Sequence, residues 1–295
     1  MTVLNMLSNT LFSVDMVDAG SDSAQEFKDL VWGIMEELGT ANVSDFFPLV
    51  RGLDLQGKRR RTEGYFRKLH SIFDELIDGR LKETELGHET NNDFLDAILS
   101  GQSKLDRHVM NSLLMDMFVG GTDSISHTVE WVMAELLRNP DTMRKATIKE
   151  SLRLHSPGPF LLPRKAETDT ELCGYSIPQH SWILVNAWAL GRHESLWKDP
   201  DVFMPERFLE RDVEYKGQYF EFIPFGAGRR ICPGLPLASR MVPLMLASLL
   251  YHFKWELADG MRAENVDLSD KLGVTLALAH PIRAIPVPNE DFLGN

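Results

Sequence analysis

The sequence has few cysteines, no long apolar run and no excess of basic residues, and each shortage excludes a class of protein. Only two cysteines occur among 295 residues, Cys173 and Cys232, which excludes a secreted fold held together by several disulfides. The most apolar stretch, residues 241–253, is shorter than the roughly 20 residues that a membrane-spanning helix needs. Residues 1–10 are too polar for a signal peptide. The net charge of −12 argues against nucleic acid as a partner.

Composition and patterning are those of a large, mostly helical globular protein. Apolar residues make up 43% and charged residues 25% of the chain, which is ordinary for a domain with a sizeable core. Apolar spacing predicts helices at residues 21–38, 59–80, 105–138 and 235–257, with a polar loop at 81–92. Short apolar and β-branched segments predict strands at residues 160–165, 175–177, 182–186, 274–278 and 283–287. The expected fold class is mainly α with small β-sheets (α+β), and Cys173 is expected to be a core thiol.

A glycine-rich loop, residues 225–234, surrounds the second cysteine and precedes a long apolar helix. Glycines let the Cys232 sulfur approach a flat cofactor, while arginines, backbone N–H groups and the positive end of the helix favour its thiolate form. These are the requirements of a haem thiolate, in which the sulfur pushes electron density towards bound oxygen. A structural thiol in a glycine turn is the alternative. A dinucleotide-binding loop fits less well, because Ile231 stands where the third glycine is needed.

The pattern Phe225-x-x-Gly228-x-Arg230-x-Cys232-x-Gly234 resembles the haem-ligand signature of the cytochrome P450 family. The resemblance implies a cytochrome P450 fold, haem b (iron protoporphyrin IX) as cofactor and Cys232 as the axial ligand of the iron. Phe225, Gly228 and Gly234 would also belong to the cofactor-binding site, and Arg230 would bind a haem propionate. The resemblance also implies a monooxygenase that uses O2, a small apolar substrate and electrons from NADPH, delivered by NADPH–cytochrome P450 reductase.

The longest predicted helix is interrupted by small residues, Gly120-Gly121-Thr122-Asp123-Ser124. Each glycine inside a helix costs about 1 kcal/mol relative to alanine, so a distortion or a group packed against the bare backbone is expected. A kinked core helix is one interpretation. In the cytochrome P450 family a similar small-Gly-x-acid-Thr motif crosses the oxygen-binding side of the haem, which implies that Asp123 and Ser124 relay protons. Ser124 stands where the family usually has threonine.

Four more charged residues match the family's motifs. Glu150 and Arg153 are three residues apart, which puts them on one face of a helix, and Arg207 lies in a Pro-Glu-Arg-Phe motif. Taken alone, Glu150 and Arg153 are a solvated surface pair, whereas the resemblance implies a buried network of all three behind the haem-ligand loop. Arg164 resembles a residue that pairs with a haem propionate, and a surface cation is the alternative.

The resemblance extends over nearly the whole chain and is strongest to plant members that hydroxylate terpenoids. Residues 1–295 are therefore interpreted as a single partial catalytic domain, helical over 1–150 and mixed over 151–295. Relative to the family pattern, the membrane anchor and the first elements are missing, and a second gap lies near residues 145–148. The family implies the cytosolic face of the endoplasmic reticulum membrane, whereas a chain without the anchor would be cytosolic.

Three functions are compatible with this interpretation. The first is a haem-thiolate monooxygenase for a mono- or diterpenoid, with substrate contacts from the residues before Gly120 and from residues 156–162 and 273–276. The second is a peroxide-rearranging relative that needs no reductase, and the acid and hydroxyl at Asp123 and Ser124 count against it. The third is a non-catalytic remnant that holds no haem, because a core that lacks whole elements rarely keeps marginal stability.

Overall fold

The computed structural model describes residues 2–17, 22–101, 105–139 and 144–289 of the chain. They fall into two units, Met1–Ser126 and His127–Asn295. The first unit is helical and the second combines helices with short antiparallel strands, which confirms the predicted fold class. The assignment of all 295 residues to one catalytic domain stays a prediction. No helix within the described ranges is long and apolar enough to cross a membrane.

Helices make up the first unit. Their bounds are α1 (Thr2–Phe12), α2 (Asp22–Gly39), α3 (Val43–Phe46), a 3₁₀ turn (Pro48–Leu53), α4 (Lys58–Glu85), α5 (Phe94–Ser100) and the start of α6 (Arg107–Arg138). Side chains of Asn42 and Asp93 accept backbone N–H groups and thereby cap α3 and α5. The long helix that was predicted at 105–138 is confirmed as α6. Pro140, whose ring cannot continue a helix, follows in the sequence and lies outside the described residues.

Helix α4 packs one apolar stripe into the first unit and is longer than the sequence predicts. Leu69, Phe73 and Ile77 recur every four residues and are fully buried, so they form the core face of the helix. The predicted loop from residue 81 is wrong at its start, because α4 continues to Glu85. Buried Arg80 supports this last part of the helix, since its guanidinium donates to the Phe12 carbonyl at 2.9 Å and also pairs with two aspartates of α5 and its cap.

The second unit begins within α6 and continues through short elements. Its helices are α7 (Arg144–Leu154), α8 (Ala187–Gly191), α9 (Arg207–Glu210) and α10 (Leu235–His252). Its strands are β1 (Arg164–Lys165), β2 (Thr170–Leu172), β3 (Tyr175–Ile177), β4 (Trp182–Ile183), β5 (Phe253–Leu257), β6 (Asp270–Leu272), β7 (Leu276–Leu278) and β8 (Ala284–Pro288). They form four two-stranded antiparallel sheets, β1–β4, β2–β3, β5–β8 and β6–β7. Several strands are shorter than predicted.

The predicted helix 235–257 is wrong at its end, where the chain becomes a strand. Helix α10 ends at His252, and β5 pairs with β8 along its whole length, from Phe253 opposite Pro288 to Leu257 opposite Ala284. Burial alternates between half-buried and exposed along β5, which is the period-two pattern of a strand with one covered face. Pairing with a strand 27 to 35 residues further along the sequence therefore overrides the apolar helical pattern.

Cys173 is exposed, which contradicts the expectation of a core thiol. It lies with Gly174 in the two-residue turn of the β2–β3 hairpin, where Leu172 pairs with Tyr175. Both turn residues have positive φ angles, 52° and 83°, as the primed turns of tight hairpins require. The turn therefore holds the Cys173 side chain in solvent, and the flanking strands are exposed as well.

Candidate functional site

The loop 225–234 folds back on itself through backbone hydrogen bonds. The Cys232 N–H donates to the Phe225 carbonyl at 2.9 Å, and the Ile231 N–H donates to the Gly228 carbonyl at 3.1 Å. Gly226 and Gly228 have φ angles of 73° and 65°, a left-handed region that side chains with a Cβ rarely adopt. The two glycines are therefore what allows the chain to place a cysteine at the base of so tight a turn.

Cys232 lies just before the N-terminus of α10 and is partly exposed. The Leu235 N–H, the first of the helix, donates to the Cys232 carbonyl at 3.3 Å. The sulfur is thus held near the positive end of the helix dipole, which favours an anionic ligand atom. A Cβ at Gly234 would lie 3.6 Å from the Cys232 Sγ, so glycine keeps the neighbourhood of the sulfur clear of side-chain atoms.

The loop is anchored to an aromatic core. This core cluster consists of Leu152, Trp197, Phe208, Val213 and Phe222, all buried. Phe225 packs on its edge through Tyr215, with ring centroids 5.4 Å apart, and burial raises the pKa of the Tyr215 hydroxyl. A Cβ at Gly217 would lie 3.0 Å from the Ala227 Cα, so the loop also rests directly on a second backbone segment. The position of Cys232 is therefore set by packing as well as by its own turn.

The structure brings Glu150, Arg153 and Arg207 together as a buried network. Arg153 binds the Glu150 carboxylate with two parallel hydrogen bonds of 2.7 Å, and Arg207 Nε donates to the same carboxylate at 3.0 Å. The Met204 N–H adds a fourth donor at 2.8 Å. Glu150 is fully buried. The sequence-based alternative of a solvated pair is therefore wrong, because none of these groups is at the surface.

The other N–H groups of the two guanidinium groups bind backbone carbonyls. Arg153 donates to the carbonyls of Gly191, Pro200 and Val202, and Arg207 donates to those of Lys198, Asp199 and Val202. A Cβ at Gly191 would overlap the Arg153 carbonyl oxygen, so this helix end needs glycine. The network thus fastens α7 to residues 191–207: one carboxylate is shared by two guanidinium groups, whose other N–H groups bind backbone carbonyls.

The two arginines that the resemblance assigns to haem propionates, Arg164 and Arg230, are exposed. Arg164 stands in β1, opposite Ile183, and Arg230 ends the 3₁₀ turn of the cysteine loop. Among the described residues neither has an ion-pair partner, so both guanidinium groups could receive carboxylates. Leu161, three residues before Arg164, has its Cδ1 3.8 Å from the place of a Cβ at Gly226, which brings the segment before β1 to the cysteine loop.

Asp123 and Ser124 lie in the first unit, on the unbroken helix α6. The Ser124 hydroxyl donates to the Gly120 carbonyl at 2.7 Å, and Thr122 makes the same type of bond to the carbonyl four residues earlier. A Cβ at Gly121 would meet the Leu7 side chain at 3.1 Å, whereas at Gly120 it would meet no described atom within 4 Å. The expectation of a group packed against the bare backbone is thus confirmed at Gly121, and α6 shows no break.

Sequence reasoning missed a row of side chains on the second part of α6. His127, Trp131 and Glu135 recur every four residues and thus share one face of the helix. His127 Nδ1 lies 2.8 Å from Thr275 Oγ1, and Trp131 Nε1 donates to the Leu276 carbonyl at 3.1 Å. The i, i+4, i+8 spacing of polar groups was the available signal, but the partners of His127 and Trp131 are more than a hundred residues away in the sequence.

Glu135, the last member of this row, binds His155 inside the second unit. Glu135 Oε1 and His155 Nε2 are 2.8 Å apart, and the imidazole stacks on Trp131 with ring centroids separated by 3.7 Å. Burial lowers the pKa of His155 because it disfavours the imidazolium, and this outweighs the hydrogen bond to Glu135, which raises it. His155 is therefore a neutral core residue at pH 7.

Cys232 and its loop, together with Arg164 and Arg230, fit a haem group. The loop offers a soft sulfur ligand beside glycines that leave room for a flat ring, and Arg164 and Arg230 offer cations for two carboxylates. No cluster of three or more His, Cys, Asp or Glu that could hold a metal ion occurs in the described ranges. The single Cys232 sulfur suits a cofactor that brings its other metal ligands with it.

Comparison with known proteins gives a consistent match. The sequence model of the family described as cytochrome P450 matches residues 1–147 and 143–279. Geraniol 8-hydroxylase from Swertia mussotii is 46% identical over 318 residues, which cover 97% of this chain and 64% of that protein. Geraniol 8-hydroxylase from Catharanthus roseus and drimenol monooxygenase from Persicaria hydropiper are also 46% identical, over 97% of this chain and 64% and 63% of their own lengths.

The chain spans about 64% of the length of these curated relatives. The alignment with the Swertia protein has 318 positions, whereas 97% of 295 residues is about 286, so about 32 aligned positions have no residue of this chain. The two stretches matched by the family model meet at residues 143–147. This agrees with the internal gap that the sequence predicts near residues 145–148, just before Glu150.

Proposed function

The chain belongs to the cytochrome P450 family, and from this we propose that it is the haem-binding part of a monooxygenase that hydroxylates a small terpenoid. The observation that carries the proposal is the loop 225–234, in which two left-handed glycines place Cys232 beside the N-terminus of α10. In this proposal the substrate receives one oxygen atom of O2 and the other leaves as water, with two electrons from NADPH and two protons.

Cys232 would ligate the haem iron through its thiolate, and Arg164 and Arg230 would bind the propionates. When bound, haem supplies the activation of O2 that no amino-acid side chain can provide. The Phe225 carbonyl holds the backbone N–H of Cys232, and the aromatic core cluster holds Phe225, so the sulfur would be presented from a fixed base. The network around Glu150 would keep residues 191–207 in place beside α7.

Asp123 and Ser124 would deliver the two protons. The Ser124 hydroxyl donates its hydrogen bond to the Gly120 carbonyl. It must therefore rotate away from that carbonyl before it can donate to another group. A serine can make this rotation more freely than threonine, which has a second group on its Cβ. Asp123 is half-buried, and in the proposed function its carboxyl group would act as the general acid.

The proposed substrate class rests on the relatives. Two are named for geraniol and one for drimenol, and a fourth, from Arnebia euchroma, is a geranylhydroquinone hydroxylase with 42% identity. The segments expected to contact substrate include Leu161, Leu162 and Leu276, whose apolar side chains suit an isoprenoid. The electron donor would be NADPH–cytochrome P450 reductase at the cytosolic face of the endoplasmic reticulum.

The carbon monoxide difference spectrum of the reduced, haem-loaded chain tests this proposal. We expect the red-shifted Soret band of thiolate ligation, lost in Cys232→Ser and kept in Cys173→Ser, because Cys173 lies in an exposed hairpin turn. Absence of the band in the unaltered chain would contradict the proposal and favour a non-catalytic remnant. With the band present, geraniol oxidation that needs NADPH and reductase supports a monooxygenase, whereas turnover with peroxide alone would favour the reductase-independent alternative.

A further inference from the structure

The loop between β6 and β7 is fastened at several points within the second unit. The Gly273 N–H donates to the Thr275 carbonyl at 3.1 Å, which closes the turn between the paired residues Leu272 and Leu276. The Leu276 N–H donates to the Pro157 carbonyl at 3.0 Å. The two segments expected to contact substrate in this unit, 156–162 and 273–276, are therefore tied to each other by their backbones.

Helix α6 holds this loop with two side chains. Trp131, which is buried, binds the Leu276 carbonyl, and the half-buried His127, one turn earlier, binds the Thr275 hydroxyl. The Trp131 bond acts on backbone that β6–β7 pairing already orders. The His127 bond differs, because among the described residues it links a side chain of α6 to the turn itself, where Gly273 and Val274 are exposed. This pair is therefore the contact through which α6 acts on residues 273–275.

We propose that His127 is a positioning residue for the substrate: it fixes the turn 273–275 against α6 and so sets which carbon of the substrate is oxidised. The inference rests on the proposed function and adds a specificity determinant to it. Gly273 gives the turn little stiffness of its own, so a hydrogen bond at its far side restricts the conformations that the turn can adopt. Without the bond, α6 would hold this hairpin through Trp131 at Leu276, and nothing described would fasten residues 273–275 to the helix.

Hydrogen exchange on the chain without haem tests the positioning. We expect His127→Ala to speed exchange in peptides that contain Leu276 by about two- to tenfold, the factor that corresponds to one ordinary hydrogen bond. Thr275→Val should have the same effect and the double variant no more, because either change removes the same bond. His108→Ala is the matched control, since His108 is an exposed histidine of the same helix. Unchanged exchange in His127→Ala would overturn the proposal.

The products of geraniol oxidation by the haem-loaded chain test the specificity. His127→Ala and Thr275→Val should shift the ratio of oxidised positions in the same direction and raise KM at least threefold. His127→Asn should restore the ratio, because its amide can replace Nδ1. An unchanged ratio and KM would overturn the assignment. If the chain takes up no haem, the proposed function fails, while the exchange experiment still decides whether His127 positions the turn.

Discussion

Glu150 is the residue on which its buried network with Arg153 and Arg207 depends. Its carboxylate lies between the guanidinium groups of Arg153 and Arg207, and all three side chains are buried. Neutralising it would leave two cations without their anion, and one lost partner of a buried ion pair costs about 3–5 kcal/mol. The sequence predicts the members of this network because their motifs are local, but burial and the backbone carbonyls that complete it follow only from the fold.

We expect Glu150→Gln to lower the free energy of unfolding by about 3–5 kcal/mol, because glutamine keeps the shape but not the charge. Urea unfolding followed by circular dichroism measures the change. Glu214→Gln is the matched control: Glu214 pairs with Lys149 closer to the surface, and loss of such a pair costs under about 1 kcal/mol. Equal losses in the two variants would contradict the central position of Glu150.

His155 makes the stability of the chain depend on pH. Burial lowers its pKa in the folded state below the ordinary value of 6.5. As the pH falls through about 6.5, the unfolded chain therefore takes up a proton that the folded chain does not, and the free energy of unfolding decreases. Above about pH 7.5 the imidazole is neutral in both states and contributes no pH dependence.

We expect the urea midpoint of the unaltered chain to fall between pH 7.5 and pH 5.5 by more than that of His155→Gln, which has no group titrating in this range. His88→Gln, at an exposed position, is the matched control and should show the full decrease. A decrease in His155→Gln as large as in the control would show that other groups cause the pH dependence.

At the scale of elements, α6 contains two adjacent glycines with different surroundings. Alanine stabilises a helix by about 1 kcal/mol relative to glycine. At Gly120 the added methyl group would meet no described atom within 4 Å, whereas at Gly121 it would press on Leu7 at 3.1 Å. We expect Gly120→Ala to raise the free energy of unfolding of the haem-free chain by about 1 kcal/mol. Gly121→Ala should raise the free energy of unfolding by less, or lower it. Thermal unfolding measures both changes, and each variant is the control for the other.

The elements also separate what the sequence predicts from what it cannot. Helices α2, α4 and α6 follow from repeating apolar positions within each segment. Strand β5 does not, because its residues continue the apolar pattern of α10 and become a strand only by pairing with β8. Likewise, the contact between His127 and Thr275 joins residues 148 positions apart. Local patterns carry no information on such partners in a single sequence.

At the scale of the whole molecule, three exposed arginines within twelve residues of sequence are expected to form a basic patch, against a net charge of −12. Arg229 and Arg230 of the cysteine loop and Arg240 of α10 are all exposed. Such a patch can attract an acidic partner, and the attraction weakens as salt screens it. In the proposed function this partner is the reductase.

We expect the double variant Arg229→Glu, Arg240→Glu to slow reduction of the haem by the reductase at least tenfold at low salt, because electrostatic steering speeds association. At 0.5 M salt the difference from the unaltered chain should be smaller, because the salt screens these charges. Stopped-flow absorbance measures the rate. Arg262→Glu, at an exposed arginine outside the loop and α10, is a control for changed charge alone. Unaltered rates in the double variant would exclude this surface as the docking site.

The stack of Trp131 on His155 also gives the chain an internal optical reporter. An imidazolium quenches the fluorescence of an indole in contact with it much more strongly than a neutral imidazole does, and these two rings are 3.7 Å apart and nearly parallel. Of the six tryptophans, Trp131 is thus the one whose emission would respond to a proton on His155. Emission recorded during acidification would then reveal when a proton reaches the core, before the chain unfolds.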